Sequence, residues 1–394
     1  MDAQNAEPKS FKFKKIVILS GGAIGVETAK ELAEQDIRAD EIVVFNRINP
    51  DSNLKTQAAL RGIKQAFWAR NLKATRIRFS TDEREAITGA DLAVVVAGAK
   101  REGNETRDDV LFKNMPVIDK IGQDLKNYYT GETVLSVPNP MDKLALRLQQ
   151  VTGFEPGRIV GVGGVLDETR LIDSIIEILG DKIQHNRENI RNTAVVGEHG
   201  DNMVAVLSQV EVKINGEWKA LSTVCNQIDM SRIEARTADA IRDEDGIRTT
   251  AQLLKIKDGE AGSLPTHQQL IRKTGLGGKR FIDETGSSDF YGPAGAIVRM
   301  VDALIQARST GKSDPLACSC YDADNEIFIG KIGTFDAQGK FSAPPEMQPA
   351  LKLRQESETM ENAISELRRS AQSFPPLPHP LIGNHQTPRA VVAL

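Results

Sequence analysis

One histidine stands among glycines and carboxylates at the end of an apolar run. The segment Gly197-Glu198-His199-Gly200-Asp201 follows Thr193-Ala194-Val195-Val196. Because imidazole titrates near neutral pH, His199 could give or take a proton there. A histidine at a strand end is also often structural, so a catalytic role needs partners elsewhere in the chain. The first candidate is Asp167, three residues before Arg170, a spacing that puts both side chains on one face of a helix.

A glycine turn follows the first apolar run and opens the first predicted helix. The run Ile16-Val17-Ile18-Leu19 leads into Ser20-Gly21-Gly22-Ala23-Ile24-Gly25. Glycines at such a turn let the backbone approach a pyrophosphate, whose charge the helix N-terminus stabilises. The motif is imperfect, because Ser20 stands at the first glycine position of the usual G-x-G-x-x-G. We predict that these six residues bind a dinucleotide cofactor.

The end of the second predicted strand carries Asn46 and Arg47. An acid at this place usually binds the ribose hydroxyls of NAD. Here a neutral side chain followed by a cation removes the repulsion against a 2′-phosphate and supplies a partner for it. Both NAD and NADP remain candidates, and Asn46-Arg47 slightly favours NADP. The alternative is a polar strand end with a solvated arginine.

Two further polar loops follow predicted buried strands. In residues 97–109, Ala97 and Gly98 are candidate cofactor-binding residues, and Arg101 and Arg107 suit a carboxylate or a polarised carbonyl. The segment Val137-Pro138-Asn139-Pro140-Met141-Asp142 ends another strand, where Val137 and Asn139 are candidates for the cofactor and Asn139 also for the substrate. A solvated loop and a simple Asn-Pro turn are the alternatives. All these sites lie at the carboxyl ends of predicted strands, where such sheets bind ligands.

The pattern of elements predicts an α/β protein. Strands and helices alternate through about residue 165, which is typical of a Rossmann, doubly wound parallel sheet. We expect a helix over 25–35 and strands over 41–45, 92–96 and 133–137. The second half reads as α+β, with a hairpin turning at Asn215-Gly216 and another at 322–325.

The predicted domains follow from this change of pattern. We expect an N-terminal extension over 1–13, a dinucleotide-binding domain over 14–165, a catalytic domain over 166–371 and a Pro-rich tail over 372–394. The stretch from Lys255 to Gly286 has little periodicity and predicts a long loop or lid insertion. Residues 346–369 have helical spacing. The tail is either disordered or an arm that packs on a neighbouring subunit.

The composition of the chain limits the kinds of molecule that we expect it to bind. The chain has 394 residues, 40% hydrophobic and 26% charged, with a net charge of -4. This balance predicts a folded protein and gives no electrostatic reason to expect nucleic acid or an anionic membrane as partner. The polar N-terminus lacks the layout of a secretion signal, so we expect a cytoplasmic protein. Cys225, Cys318 and Cys320 do not have zinc-site spacing, and we predict no metal and no disulfide framework.

Taken together, these motifs resemble the lactate/malate dehydrogenase family. The similarity runs from about Lys15 to about Arg369 and is strongest in residues 97–109, 137–142, 160–170 and 196–203. The resemblance implies that His199 donates and accepts the proton and that Asp167 orients it. It implies that Arg170 pairs with the substrate carboxylate, that Arg107, on a mobile loop, polarises the reacting carbonyl, and that Asn139 hydrogen-bonds near that carbonyl.

The implied reaction is hydride transfer between a nicotinamide cofactor and a small 2-hydroxy or 2-oxo acid. Arg101 occupies the loop position at which the family distinguishes substrates, and arginine there resembles the malate dehydrogenase choice. It would pair with a second carboxylate, which implies a dicarboxylate such as oxaloacetate. The resemblance also implies a homodimer or homotetramer.

Two departures from the family pattern concern the substrate. Gly103-Asn104 replaces the Pro-Gly that often follows the specificity residue, and Asp289 stands where a small or hydroxyl residue lines the substrate pocket. A carboxylate facing a dianion is unfavourable unless it is protonated, paired with Arg101, or in contact with a substrate hydroxyl or amine. A register shift of one residue would instead turn Asp289 outward.

Other functions remain open at this point. One is a dehydrogenase for a different polar 2-hydroxy acid. Another is an NAD-dependent glycosidase, which uses a cysteine and a histidine to hold a metal, although no cysteine lies near Asn139 or His199 in the sequence. A third is a non-catalytic cofactor-binding protein, which would not need Arg107, Asp167, Arg170 and His199 together.

Overall fold

The protein is described by a computed structural model that covers residues 11–34, 36–47, 49–99, 105–200, 202–225, 250–262, 264–352 and 354–378. One large twisted sheet runs through it. Its first six strands are parallel in the order β3-β2-β1-β4-β5-β6, which is the doubly wound order of a Rossmann fold. These strands are β1 (Phe13–Leu19), β2 (Ala39–Phe45), β3 (Arg76–Ser80), β4 (Leu92–Val95), β5 (Thr133–Ser136) and β6 (Ile159–Gly161). The predicted fold class is confirmed.

The same sheet continues with antiparallel strands from the second half of the chain. Ser319 pairs with Gly161 and thereby joins the two halves. The predicted hairpin at 322–325 is confirmed, since its two strands are antiparallel across residues 323–326. These strands are β8 (Val195–Gly197), β9 (Met203–Ala205), β12 (Leu316–Asp322), β13 (Ile327–Phe335) and β14 (Phe341–Ser342).

A second, three-stranded sheet contains β7 (Ile190–Arg191), β10 (Glu211–Ile214) and β11 (Glu217–Ala220). Its hairpin turns at Asn215 and Gly216, as predicted. Both residues have positive φ, 52° and 84°, which the two central residues of a type I′ turn require.

Helices cover both faces of the main sheet. Along β1, Ile16 and Ile18 pack on one face with residues of α1 and α10, whereas Val17 and Leu19 pack on the other with residues of α4 and α5. This explains why the parallel strands are continuously apolar. The helices are α1 (Ala23–Ala33), α2 (Pro50–Ala69), α3 (Glu83–Ile87), α4 (Arg107–Tyr128), α5 (Met141–Thr152), α6 (Gly163–Leu179), α7 (Thr250–Leu254), α8 (Asp258–Ala261), α9 (Thr266–Thr285), α10 (Tyr291–Thr310) and α11 (Arg354–Gln372).

The loop predicted over 255–286 is wrong, because most of this stretch forms α8 and α9. Helix α9 has a buried face that includes Leu270, Ile271 and Thr274 and that packs against α6. The sequence of α9 lacks a clear helical repeat of apolar residues, because glycines take some of the positions at which the helix approaches α6. The glycines therefore indicate a loop in the sequence alone, whereas in the structure they allow α9 to pack closely on α6.

The helix predicted over 346–369 begins later than expected, at Arg354. The chain before it forms only a short 3-10 turn, Pro345–Met347, and is then extended at Gln348 (φ -74°, ψ 140°). The cause is Pro349, since a residue that precedes proline is disfavoured in the α conformation.

The start of the Pro-rich tail packs on its own chain. The guanidinium of Arg147, a residue only 1% exposed, makes two bonds to the carboxylate of Asp119 (2.6 and 2.9 Å) and donates to the carbonyls of Pro375 and Pro376 (2.8 and 3.1 Å). This part is therefore ordered against its own chain, which corrects the expectation of disorder, whereas an arm on a neighbouring subunit stays a prediction. Residues 379–394 lie outside the described residues.

In the described part of the chain, every helix is too short or too polar to cross a lipid bilayer.

Candidate functional site

The centre of the site is the carboxylate of Asp167, on the first turns of α6. Its two oxygens have different partners: Oδ2 lies 2.7 Å from His199 Nδ1, and Oδ1 accepts a bond of 3.2 Å from Arg170 Nη1. Asp167 is only 1% exposed. Because an ionised carboxylate only accepts, Nδ1 of His199 carries the proton and Nε2 is left to exchange one. The structure therefore brings together three residues that the sequence linked.

The first turn of α6 is built to receive His199. A Cβ at Gly163 would lie 2.7 Å from His199 Cγ and 2.6 Å from Met141 Cε, so a side chain at residue 163 is excluded. The backbone amide of Gly163 donates to Met141 Sδ at 3.1 Å. Glycine at residue 163 thus lets the imidazole pack directly on the helix that carries Asp167.

A second buried carboxylate holds the backbone of His199. Asp142, at the start of α5, accepts a bond of 2.7 Å from the His199 amide and another from the Ser319 hydroxyl. Burial raises the pKa of Asp142, and its two hydrogen bonds and the nearness of His199 oppose that rise. Asp142 therefore fixes the histidine loop to α5 and to the strand β12 that bears Ser319.

Glu198, the residue before His199, is also buried, at 5% exposed. Burial raises the pKa of Glu198 to about 7; a bond from Asn202 lowers it, the charge of Asp142 raises it, and those of Lys143 and Arg107 lower it. The Asn202 amide donates to Glu198 Oε2 at 2.7 Å. Two cations thus lie near the backbone segment that carries the histidine.

Arg107 lies at the first position of α4 and not within a loop, which corrects the prediction of a loop residue. Thr106 and Asp109 form a capping box around it, with each side chain bonded to the other's backbone amide (2.8 and 3.1 Å). The guanidinium of Arg107 fills the space where Gly200 would carry a side chain. Arg107 therefore lies beside the residue that follows His199. Arg101, Gly103 and Asn104 lie outside the described residues.

Asn114 links the two loops that follow β4 and β5. It is 1% exposed; its Oδ1 accepts from the Ala99 amide at 2.6 Å and its Nδ2 donates to the Asn139 carbonyl at 2.9 Å. Gly98 lies against this link, and Val137 is buried beneath it, whereas Asn139 is exposed. Ala97, Gly98, Val137 and Asn139 thus lie at the same sheet edge, as predicted.

The glycine turn after β1 has the geometry that close approach of a ligand requires. Ser20 has φ 144°, a conformation that favours glycine, and it stands where the motif normally has glycine. A Cβ at Gly25 would overlap the Ser20 carbonyl oxygen, and one at Gly21 would lie 2.6 Å from Thr56. A Cβ at Gly22, the N-cap of α1, would meet only the Ser20 hydroxyl oxygen, at 3.8 Å. These residues, with Ala23 and Ile24 in the first turn of α1, fit a pyrophosphate at the helix N-terminus.

Asn46 and Arg47 end β2 at the same edge of the sheet. The amide of Asn46 donates to the Ser52 hydroxyl at 2.8 Å, which ties the strand end to α2. Arg47 is exposed. The structure thus leaves a cation at the surface beside the position where an NAD-binding fold usually has an acid.

The glycine pair of α9 packs on Arg170. A Cβ at Gly277 would lie 3.0 Å from Arg170 Cδ, and one at Gly278 would lie 3.1 Å from Arg170 Nη2. On α6 itself, the carboxylate of Asp167 accepts a hydrogen bond from the same guanidinium. Arg170 therefore lies between α6 and α9 and has little room to move.

Asp289 binds the start of α10. Its Oδ1 accepts from the amides of Tyr291 and Gly292 at 3.0 and 3.1 Å. The first amides of a helix have no partner within the helix, and a carboxylate there is favoured by the helix dipole. The negative charge of Asp289 is thus compensated by backbone donors, a partner that the sequence did not indicate. A role for Asp289 in binding substrate stays a prediction.

Comparison with known proteins agrees with this geometry. The family model for the lactate/malate dehydrogenase NAD binding domain matches residues 14–161. Malate dehydrogenase 2 of Aquifex aeolicus is 27% identical over 318 residues, which are 79% of this chain and 78% of the relative. Malate dehydrogenase of Picrophilus torridus is 26% identical over 333 residues, 81% of this chain and 86% of the relative.

The chain is thus similar to proteins of the lactate/malate dehydrogenase family. Solved structures of the same fold include malate dehydrogenase of Cryptosporidium parvum, with a TM-score of 0.67 and 21% identity over 92% of this chain and 98% of that chain. Lactate dehydrogenase of the same organism, solved with lactic acid and nicotinamide adenine dinucleotide, has a TM-score of 0.67 and 19% identity, with 92% and 98% covered. The resemblance inferred from the motifs is confirmed.

Several positioning residues of this site were not found from the sequence. Asp142 lay inside a motif but had no assigned role, and Asn114 was not singled out. Ser319 gave no signal, because its partner Asp142 is 177 residues away. Gly277 and Gly278 were read as part of a loop.

If Gly277 positions Arg170, adding a methyl group there will impair substrate binding without loss of stability. Gly277→Ala should raise the KM for a 2-oxo acid about threefold to tenfold by displacing the guanidinium. The melting temperature should change little, because the helix propensity that alanine gains over glycine, about 1 kcal/mol, offsets the strain of its contact with Arg170.

The matched control is Gly295→Ala in α10, where a Cβ meets nothing within 4 Å. Steady-state kinetics give the KM of both variants, and thermal denaturation gives their melting temperatures. An unchanged KM in Gly277→Ala would show that the glycine pair does not position Arg170.

Proposed function

We propose that this protein is an NAD(P)-dependent 2-hydroxy-acid dehydrogenase that acts on a dicarboxylate of the malate/oxaloacetate type. The observation that carries the proposal is the Asp167 carboxylate bonded to His199 and Arg170 at once. A proton-transfer group and a carboxylate-binding cation are thereby held at one place. The glycine turn lies at the carboxyl edge of the same sheet.

The proposed roles follow from the geometry. Nε2 of His199 gives its proton to the carbonyl oxygen of the 2-oxo acid, and the carboxylate of Asp167 stabilises the imidazolium form. The guanidinium of Arg107 stabilises the charge that develops on that oxygen. Arg170 pairs with the 1-carboxylate, and Asn139, exposed after β5, hydrogen-bonds near the reacting carbonyl. The nicotinamide, when bound, supplies or accepts the hydride.

A dicarboxylate is supported by Arg101 in the sequence and by the names of the relatives in Aquifex aeolicus and Picrophilus torridus. Asp289 does not oppose this substrate as strongly as an unpaired carboxylate would, because two helix amides donate hydrogen bonds to it. A different polar 2-hydroxy acid is the second candidate, favoured by the same Asp289. The cytoplasmic location stays a prediction.

The acid/base role of His199 is tested by His199→Asn. Oxidation of NADH or NADPH by oxaloacetate should fall by a factor of about 10² to 10⁴, as expected for the loss of a general acid. Cofactor affinity, measured by fluorescence, should be unchanged. His185→Asn, an exposed histidine paired with Asp181, is the control and should keep full activity. Full turnover in His199→Asn would refute the catalytic role of His199. A parent protein that prefers pyruvate over oxaloacetate would refute the dicarboxylate substrate.

NADP use is proposed from Arg47, which is exposed at the end of β2 beside Asn46. Arg47→Ala should raise the KM for NADPH about tenfold or more, the effect of losing a charge-assisted bond to phosphate. The KM for NADH should not change, which makes the same variant its own control. Arg47→Lys should restore much of the NADPH affinity. Strict use of NADH by the parent protein would contradict this part of the proposal.

A homodimer or homotetramer is proposed from the outer face of α2. This face, opposite the buried one, bears Leu54 at 63% exposed and continues through Ala58 and Gly62 at four-residue spacing. Trp68, at 71% exposed, lies next to it near the end of the helix. Large apolar side chains exposed together on one helix mark an interaction surface, and a second copy of the chain would cover this one.

The subunit contact is tested by Gly62→Glu, which puts a charge at the centre of the face. Light scattering after gel filtration should show smaller particles, because an unpaired buried charge costs several kcal/mol. Gly259→Glu, at an exposed glycine of α8 with open space around it, should leave the mass unchanged. An assembly that survives Gly62→Glu would place the interface elsewhere.

A further inference from the structure

Lys143 is a buried cation that the proposed chemistry does not use. It lies on α5, directly after Asp142, and its side chain is only 4% exposed. Lysine is seldom buried without a reason, because removing an ammonium group from water is costly unless anions surround it. The reason should therefore be found in the groups around its Nζ.

The surrounding anions come from three separate parts of the chain. Nζ lies 3.5 Å from Asp108 Oδ1 on α4 and 3.6 Å from Glu366 Oε1 on α11. Its charge also acts on Glu198, the buried carboxyl before His199, and lowers the pKa of that group. One ammonium thus links α4, α5 and α11 and lies close enough to the histidine loop to act on its buried carboxyl.

Two of these anions are sequence neighbours of the residues that act on the substrate. Asp108 follows Arg107 in the first turn of α4, and Glu198 precedes His199. The capping box fixes the backbone of that first turn only relative to α4 itself. The Lys143–Asp108 contact adds a polar tie between α5 and the start of α4, next to Arg107, beyond the apolar packing of the two helices.

We propose that Lys143 is a positioning residue: through Asp108 it holds the start of α4, and with it the Arg107 guanidinium, in register with α5 and the His199 loop. The proposal rests on the roles given above to Arg107 and His199. Lys143 itself does not touch the reacting atoms. Its removal should slow the chemical step and leave cofactor binding intact.

The energetics favour a folded variant. Asp108 and Glu366 are 65% and 38% exposed, so water can solvate both carboxylates once the ammonium is gone. Methionine has a similar length and no charge to bury. Removing one partner of an ion pair is strongly destabilising only where the other charge stays buried, and these two carboxylates do not. Lys143→Met should therefore keep its melting temperature while it loses the contact to Asp108.

The test compares Lys143→Met, Lys143→Arg and Lys120→Met with the parent in oxaloacetate reduction. Lys143→Met should lower kcat about tenfold, less than full loss of an oxyanion donor, since Arg107 is displaced and not removed. The Kd of reduced cofactor should not change, and Lys143→Arg should restore most of kcat. Lys120, paired with Asp124 on the far part of α4, is the control and should be neutral.

A double-mutant cycle with Asp108→Asn tests whether Lys143 acts on Arg107 through Asp108. The combined variant should be no slower than Lys143→Met alone, because both changes break one contact. Additive losses, or a normal kcat in Lys143→Met, would overturn the proposal. If Lys143→Met lowers the melting temperature, kcat per folded molecule at a lower temperature is compared instead.

Arginine labelling separates this proposal from the proposed function. The rate at which phenylglyoxal modifies Arg107, followed by peptide mass spectrometry, should change several-fold in Lys143→Met, and that of Arg170 should not. This readout needs no turnover. An unchanged rate at Arg107 refutes the positioning role, whereas a changed rate in a protein that reduces no 2-oxo acid refutes the dehydrogenase proposal alone.

Discussion

The site depends on a single buried carboxylate. Asp167 is 1% exposed and bonds His199 with one oxygen and Arg170 with the other. A buried carboxylate without partners would be costly, so the two cationic or proton-bearing groups stabilise it as much as it orients them. The fold is arranged around this requirement: Gly163 makes room for the imidazole, and Gly277 and Gly278 make room for the guanidinium.

The large sheet makes this arrangement possible by joining the two halves of the chain. Its parallel part places the glycine turn, Asn46, Gly98 and Asn139 at one edge, because parallel strands all end on the same side. The pairing of β12 with β6 brings Ser319 to Asp142, which holds the His199 amide. Cofactor and substrate groups thus share one rigid support, which suits a reaction that needs fixed distances between them.

The sequence predicted the regular parts of the molecule well and the irregular parts poorly. Alternation of apolar strands with amphipathic helices was sufficient for the parallel sheet, and Asn215-Gly216 for a hairpin, because both signals are local. The spacing of Asp167 and Arg170 placed both on one helix face for the same reason. Helix α9 was missed, since its glycines serve contacts with α6 that a local reading cannot see. Arg107 was placed in a loop because the sequence did not reveal the capping box around Thr106 and Asp109.

The sequence by itself indicated the resemblance to the lactate/malate dehydrogenase family, the doubly wound parallel sheet and the residues that could carry acid/base chemistry, since these follow from short-range patterns and motifs. Only the tertiary structure decided which groups meet. Asp142 with Ser319, Lys143 with Asp108 and Glu366, Gly277 with Arg170, and Asp289 with the α10 amides are contacts set by packing. Most of them join residues far apart in the chain, and their energy depends on burial, which no local pattern records.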